Sequence, residues 1–399
     1  MTLLKNAKIA EKYGVFRGSV GKWVAAAVNK ENNLQLEMSN NKWYVIDNQH
    51  NHSELSNLAE RALKYRNKSS YEKVIVDPEL YKIFSYGNLV ELITKMEENR
   101  LIPIKFSYLN SGAIEWDNLI EKASKSENFY GNKTDSLLHQ ASEYLMDVFN
   151  KYDTVNMVDV GPGNGFVVRP LITKLMKMGF KVEYTAIDIS QKMLDIVSKN
   201  INNWFPKIEV HTEIGDMDYM VIREKLFSNK LANPNSCNLI LFLGATIGNV
   251  YDRHRVFRNF FDSMSSDDFF VLNNVLDLVS QRAQFKTLEE INTQNMISWI
   301  PEKLGLRPDM YEKINKYDEK TASRLQVLKL NKDVDVEFQM EQGVKVVNLQ
   351  DGEEITIFNH YSHTMDSLIK DVREVGLGIS YLSRTPNHSQ ALIICESEI

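Results

Sequence analysis

The apolar positions of this chain change period twice. In the first 68 residues, Ile9-Ala10-Glu11-Lys12-Tyr13-Gly14-Val15 has the spacing of a helix ending in a turn, and Ser19-Val20-Gly21-Lys22-Trp23-Val24 that of a second helix. Ala10, Gly14, Val20 and Trp23 stand where a helix-turn-helix needs a small contact residue, a turn glycine and two apolar residues that seat the second helix. Leu34, Leu36 and Met38 then alternate with polar residues, Asn40-Asn41 marks a turn, and Lys42-Trp43-Tyr44-Val45-Ile46 follows, which is a hairpin pattern. Residues 1–68 are therefore expected to form a small winged helix-turn-helix. From Ser69 to Asp153 helical spacing dominates, at Leu89, Leu92 and Ile93 and again at Leu137, Leu138, Ala141 and Leu145, around an aromatic, turn-rich stretch from Phe106 to Gly112.

From Thr154 short apolar runs alternate with amphipathic segments. Met157 to Val160, Val182 to Ile187, Ile208 to Val210, Leu239 to Leu243 and Phe269 to Leu272 read as strands. Helices lie between them, marked by Leu171, Leu175 and Met176, by Met193, Ile196 and Val197, and by the segment from about Val250. This order predicts an α/β fold with a doubly wound, Rossmann-like parallel sheet. From about Ser280 to Asn348 the pattern becomes helix and then amphipathic strands (Val334–Phe338, Val344–Val347), and Ala391 to Cys395 supplies a last sheet strand. The expected division is 1–68, a helical part 69–153, a core 154–279, an inserted α+β cap 280–365 and a return to the core sheet at 366–399.

Composition places the chain among soluble globular proteins, with 399 residues, 43% hydrophobic and 25% charged. Residues 1–68 hold eleven Lys/Arg against six Asp/Glu, a net +5, which leaves −11 for the remainder of a chain that totals −6. A basic head on an acidic body suggests an anionic partner for the head, or merely a solvated surface. No apolar run is long enough to span a bilayer, and the first residues lack a signal-peptide pattern. Cys237 and Cys395 both sit in apolar runs and read as buried thiols. Two cysteines make neither a disulfide framework nor a metal site, so a cytoplasmic protein without a metal is expected.

The glycine loop Gly161-Pro162-Gly163-Asn164-Gly165 follows a strand and precedes a helix, so the backbone can approach a ligand and the helix start offers free N–H groups. Nucleotide cofactors of several kinds use such a loop. Asp188 ends the next strand, where an acid accepts hydrogen bonds from a ribose. Asp216-Met217 follows the third strand, an acid and an apolar residue suited to an adenine amino group and one ring face. Together these favour S-adenosylmethionine (SAM) over a dinucleotide.

The fourth strand runs into Phe242-Leu243-Gly244-Ala245-Thr246-Ile247-Gly248-Asn249. This string resembles the histidine-specific methyltransferase family of the ergothioneine pathway, which also includes fungal N-methyltransferases of prenylated tryptophan. The likeness runs from about Lys105 to the C-terminus and leaves the winged head outside it. It implies a methyltransferase sheet and SAM as cofactor. Gly161, Gly163, Asp188, Asp216 and Met217 match the cofactor shell, and Phe129 and Tyr130, before Thr134-Asp135, match paired aromatics that cover the cofactor. Asn249 matches an asparagine that binds the substrate's amino-acid backbone, and Tyr108 a tyrosine near the acceptor nitrogen.

The chain departs from the family in two respects. A lysine that touches SAM is replaced at about Val167. The Glu and Ser that hold an imidazole after a Gly-Glu-Glu turn (here Gly352-Glu353-Glu354) become Phe358 and His360. The expected substrate is therefore an amine or peptide other than free histidine, bound by Tyr108, Asn249, Phe358 and His360, with Tyr108 and Asn249 carrying the catalysis. Tyr108 and Asn249 also have plain readings, as packing and as a helix N-cap; His363 and Trp299 read as structural. Two alternatives concern the head: it binds DNA, Arg17, Ser19 and Lys22 being its few base readers and the core a SAM or metabolite sensor, or it binds a peptide and presents it to the core.

Overall fold

A computed structural model describes residues 2–39, 42–66, 71–125, 130–244, 246–277 and 294–397. The chain divides into two compact units: one of residues 1–102, 301–314 and 328–356, the other of residues 103–300, 315–327 and 357–399.

The larger unit is built on a seven-stranded sheet. Its order is Leu377–Arg384, Gln390–Ser397, Phe269–Val275, Ser236–Phe242, Thr154–Val160, Lys181–Asp188, Glu209–Ile214. Only Gln390–Ser397 runs antiparallel to its neighbours. The central strands are buried along their whole length, which suits their apolar runs at Met157–Val158 and Leu239–Phe242, and Asn156, Asp159 and Asn238 are buried with them. Alternation divides their side chains between two cores. Val155 and Met157 join Leu171, Leu175, Leu194 and Val197 on one face, while Val158 and Val160 join Phe257, Phe260, Leu368 and Val372 on the other. The chain changes winding direction between Thr154–Val160 and Ser236–Phe242, and at that switch point the strands' carboxyl ends open a crevice. The helices that follow are locally encoded: Ser190 caps Gln191–Trp204 by accepting from Met193 N, and Asp252 caps Arg253–Ser263 by accepting from Arg255 N. That second cap also shows that Asn249 is not the helix cap; it ends the 3-10 turn Thr246–Asn249.

In the smaller unit, helices Asn6–Tyr13 and Arg17–Val28 are joined through Gly14, whose φ of 65° closes the first helix. Leu36–Ser39 pairs with Lys42–Ile46, with Met38 opposite Trp43, and Leu3–Leu4 pairs with the other edge of Lys42–Ile46. Helix Gln49–Arg66 completes a core of Ile9, Val20, Val24, Leu34, Val45 and Leu55. The predicted strands of the 280–348 stretch appear as Val334–Met340 and Gly343–Leu349, and Val334–Met340 also pairs in parallel with Glu72–Ile75.

The start of helix Arg17–Val28 is occupied within this unit. Arg17 Nη1 donates to Glu98 Oε1 at 2.7 Å, and buried Ser19 accepts from Gln350 Nε2 at 3.1 Å. Lys22 Nζ reaches Gln350 Oε1 at 3.5 Å. A Cβ on Gly18 would stand 2.9 Å from both Arg100 Nη2 and Glu353 Oε1. Those two residues form a two-pronged ion pair, Nε to Oε2 at 3.0 Å and Nη2 to Oε1 at 3.3 Å.

Candidate active site

The crevice of the larger unit is lined by Gly161, Pro162, Gly163 and Asn164, by Asp159, Asp188, Asp216 and Met217, and by Lys105, Tyr108, Trp116, Thr246 and Asn249. Its empty volume, open mouth included, is about 1000 Å³. The loop that forms its floor needs glycine. Gly161 and Gly163 have φ of 66° and 55°, and a Cβ on them would meet Thr246 Cγ2 at 3.1 Å and Trp116 Nε1 at 3.2 Å.

Asp188 ends its strand with Oδ1 accepting from Ser190 N at 2.9 Å. Burial raises its pKa to about 7, against the pull of the Ser190 and Ile189 amides. Asp159 lies two residues before Gly161 and accepts from the Tyr184 hydroxyl at 2.7 Å. Burial raises it also to about 7, and the charge of Asp188 adds to the shift. Asp216 accepts from Asp218 N at 3.0 Å on Oδ1 and from Lys105 Nζ at 2.6 Å on Oδ2.

On the other wall, Asn249 Nδ2 donates to the Tyr108 hydroxyl at 3.3 Å, and Asn249 Oδ1 lies 2.9 Å from His360 Nδ1. An amide oxygen only accepts, so in this arrangement the His360 proton sits on Nδ1 and Nε2 carries the lone pair. Burial, with Arg324 nearby, pushes His360 down to about 3, so its ring is neutral at physiological pH. The Tyr108 phenol is raised well above its ordinary pKa by burial and by the charge of Asp188, and so stays protonated. Its ring meets Trp116 edge-on at 5.6 Å.

Gly161, Gly163, Asp188, Asp216, Met217, Tyr108 and Asn249 thus share one crevice. His360 reaches it through Asn249, and Phe358 lies beside His360 at 6.3 Å between ring centres. Neither is among the residues that line it. Phe129 and the side chain of Tyr130 fall outside the described residues. Val167, in place of the family lysine, lines the crevice without a charge. Sequence reasoning missed Lys105, Trp116 and Asp159; the last had a signal, a carboxylate inside an apolar strand. His363 is a buried structural group between Asn274 Nδ2 at 2.7 Å and Asp371 Oδ2 at 3.2 Å, and Trp299 Nε1 donates to Ser107 O at 3.2 Å.

A glycine loop, an acid at a strand end and an acid–apolar pair thus meet in one crevice at the switch point of the sheet, the place where open α/β folds bind ligands. The family described as histidine-specific, SAM-dependent methyltransferase matches residues 89–397, and the chain belongs to it. It is a SAM-dependent methyltransferase, and SAM is its cofactor. Among solved structures, the chain resembles the glycopeptide N-methyltransferase MtfA complexed with SAM (11% identity, 65% of this chain and 92% of that one, TM-score 0.33). It also resembles the CcbJ methyltransferase from Streptomyces caelestis (12% identity, 65% and 89%, TM-score 0.32) and the CMeT domain of the citrinin polyketide synthase (13%, 100% and 81%, TM-score 0.38). No curated protein matches the chain. Among the described residues no helix is long and apolar enough to cross a membrane.

Proposed function

We propose that the enzyme methylates the amine nitrogen of an amino acid, an amino-acid derivative or a peptide other than free histidine. The observation that carries this reading is the bond between His360 and Asn249. At the two positions where histidine-specific members hold an imidazole through Glu and Ser, this chain has a phenyl ring and a neutral imidazole whose N–H is already engaged. Neither offers a carboxylate to a substrate imidazole.

In this reading Gly161 and Gly163 let the backbone approach the cofactor, Asp188 accepts from the ribose hydroxyls, Asp216 accepts from the adenine amino group and Met217 covers one ring face. Bound SAM supplies an electrophilic methyl group on a sulfonium. Asn249 fixes the acceptor's amino-acid backbone. Tyr108, held by Asn249, orients the amine lone pair along the axis of displacement. The chemistry SAM would supply is transfer of that methyl group to the nitrogen, which would leave a neutral thioether, with the acceptor's proton lost to water. The crevice contributes mainly placement and exclusion of water.

We read residues 1–68 as a winged helix-turn-helix, 280–365 as a cap of the core, and the cytoplasm as the setting, consistent with the free, buried Cys237 and Cys395. For the head, a peptide-presenting or scaffolding role is better supported than DNA reading. Arg17, Ser19 and Lys22 are engaged by Glu98 and Gln350, and Gly18 is pressed against Arg100 and Glu353. The test is methyl transfer from isotope-labelled SAM to pooled amino acids, aromatic amines and peptides, read by mass spectrometry. An N-methylated product other than a histidine betaine is expected. Trimethylation of free histidine would sink the substrate assignment.

A further inference from the structure

We propose that Lys105 is a positioning residue of the cofactor pocket, one that fixes the Asp216 carboxylate for purine recognition and ties it to the turn carrying Tyr108. The proposal rests on the reading of Asp216 given above and adds a group that reading does not use. Lys105 is the second residue of the 3-10 turn Ile104–Tyr108, in which positions three apart share a face, so Lys105 and Tyr108 are presented together. Both line the crevice. The Lys105 ammonium bridges two carboxylates, Asp216 Oδ2 at 2.6 Å and Asp218 Oδ2 at 3.1 Å, and lies 4.9 Å from the centre of the Tyr219 ring. The lysine side chain is only 13% exposed.

Two arguments follow from this geometry. Asp216 already receives Asp218 N on Oδ1 and the ammonium on Oδ2, so its rotamer is set from both ends before any ligand arrives. Charge-assisted bonds of this kind are about twice as strong as neutral ones, and a pre-set acceptor loses less entropy when a ligand donates to it. Without the ammonium, two carboxylates would face each other in a partly buried wall. The ammonium also links residues 105–108 to residues 216–218, so the phenol near the proposed acceptor nitrogen is placed relative to the same carboxylate that reads the purine.

The experiment measures calorimetric Kd values for S-adenosylhomocysteine and for its inosine counterpart, in which an oxo group replaces the adenine amino group. Binding needs no acceptor substrate, so the outcome is independent of which amine is methylated. The wild type is expected to prefer the amino form. Lys105→Met should bind it about tenfold more weakly and lose most of the preference, while the oxo form changes little. Lys105→Arg should recover the preference. Equal weakening of both ligands, or an unchanged preference in Lys105→Met, would overturn the proposal. If Lys105→Met does not fold, Lys105→Gln is put to the same two ligands under the same criterion. Asp216→Asn separates the two layers. A preference that survives it overturns the reading of Asp216 and the proposal with it; a preference lost there but kept in Lys105→Met overturns only the role of Lys105.

Discussion

Cofactor affinity should depend on pH through Asp188. Burial holds this carboxyl at about 7, far above a solvated aspartate. The ionised carboxylate accepts from both ribose hydroxyls far more strongly than the acid does, so ligand binding favours release of the proton that burial retains. For a group at about 7, the ionised fraction at pH 5 is about one in a hundred, so the Kd should rise about 100-fold between pH 8 and pH 5. Asp159, raised to a similar value, steepens the slope if its proton also leaves. The sign for stability is the opposite: a raised carboxyl stabilises the empty fold below its unfolded pKa near 4, and that contribution is lost as pH rises through about 7. Ligand-induced stabilisation should therefore grow over this window. The suitable ligand is 5′-methylthioadenosine, which carries the ribose and no titrating amine. Calorimetry from pH 5 to 8, in buffers of different ionisation enthalpy, gives both the Kd and the protons released. A release of about one proton near pH 6 is expected. A flat Kd with no proton release would refute the reasoning, and Asp188→Asn should bind more weakly with the pH dependence gone.

Three further outcomes are expected. Tyr108→Phe keeps the ring against Trp116 but loses the hydroxyl bonded to Asn249, so turnover should fall by about tenfold or more with cofactor Kd unchanged; equal turnover removes Tyr108 from the mechanism. Gly163→Ala places a Cβ at φ 55° beside Trp116, so chemical denaturation should show a loss of about 1–3 kcal/mol together with weaker cofactor binding; a variant as stable as the wild type contradicts the loop argument. The full chain should bind duplex DNA weakly and without sequence preference, because the start of helix Arg17–Val28 is engaged within its own unit; tight binding that falls steeply with salt would restore the regulator reading.

The parts legible in the sequence were those where one physical demand sets every position of a segment. Strands buried on both faces are rich in apolar residues, so the runs from Met157 and from Leu239 were legible, while Thr154, Asn156, Ser236 and Asn238 hid the starts of Thr154–Val160 and Ser236–Phe242. The loop after Val160 must adopt positive φ beside a ligand, so its glycines did too. Segments with mixed demands stayed hidden. Leu377–Arg384 is an edge strand, largely exposed beyond its first residue, and Glu72–Ile75 is short with a single buried side chain. Helix Gln49–Arg66 begins Gln-His-Asn-His-Ser-Glu, too polar to show a helical stripe.

The site divides along the same line. Asp188 ends, and Asp216 closely follows, strands that short apolar runs locate, so their place in the crevice followed from the strands. Lys105 has partners 111 and 113 residues away, a pairing that no local period can carry. The case of His360 is instructive because it combines both kinds of information. Ile355 and Ile357 are buried and alternate with the positions of Phe358 and His360 along one strand, which sets its register. Which loop would meet His360 depended on Gly248, where any side chain would collide with the imidazole. A glycine before an asparagine in a sheet-end loop is a weak local signal, and here it is the condition for the bond that holds Asn249. The meeting of this loop with the strand of His360 is therefore written partly in the absence of a side chain at Gly248.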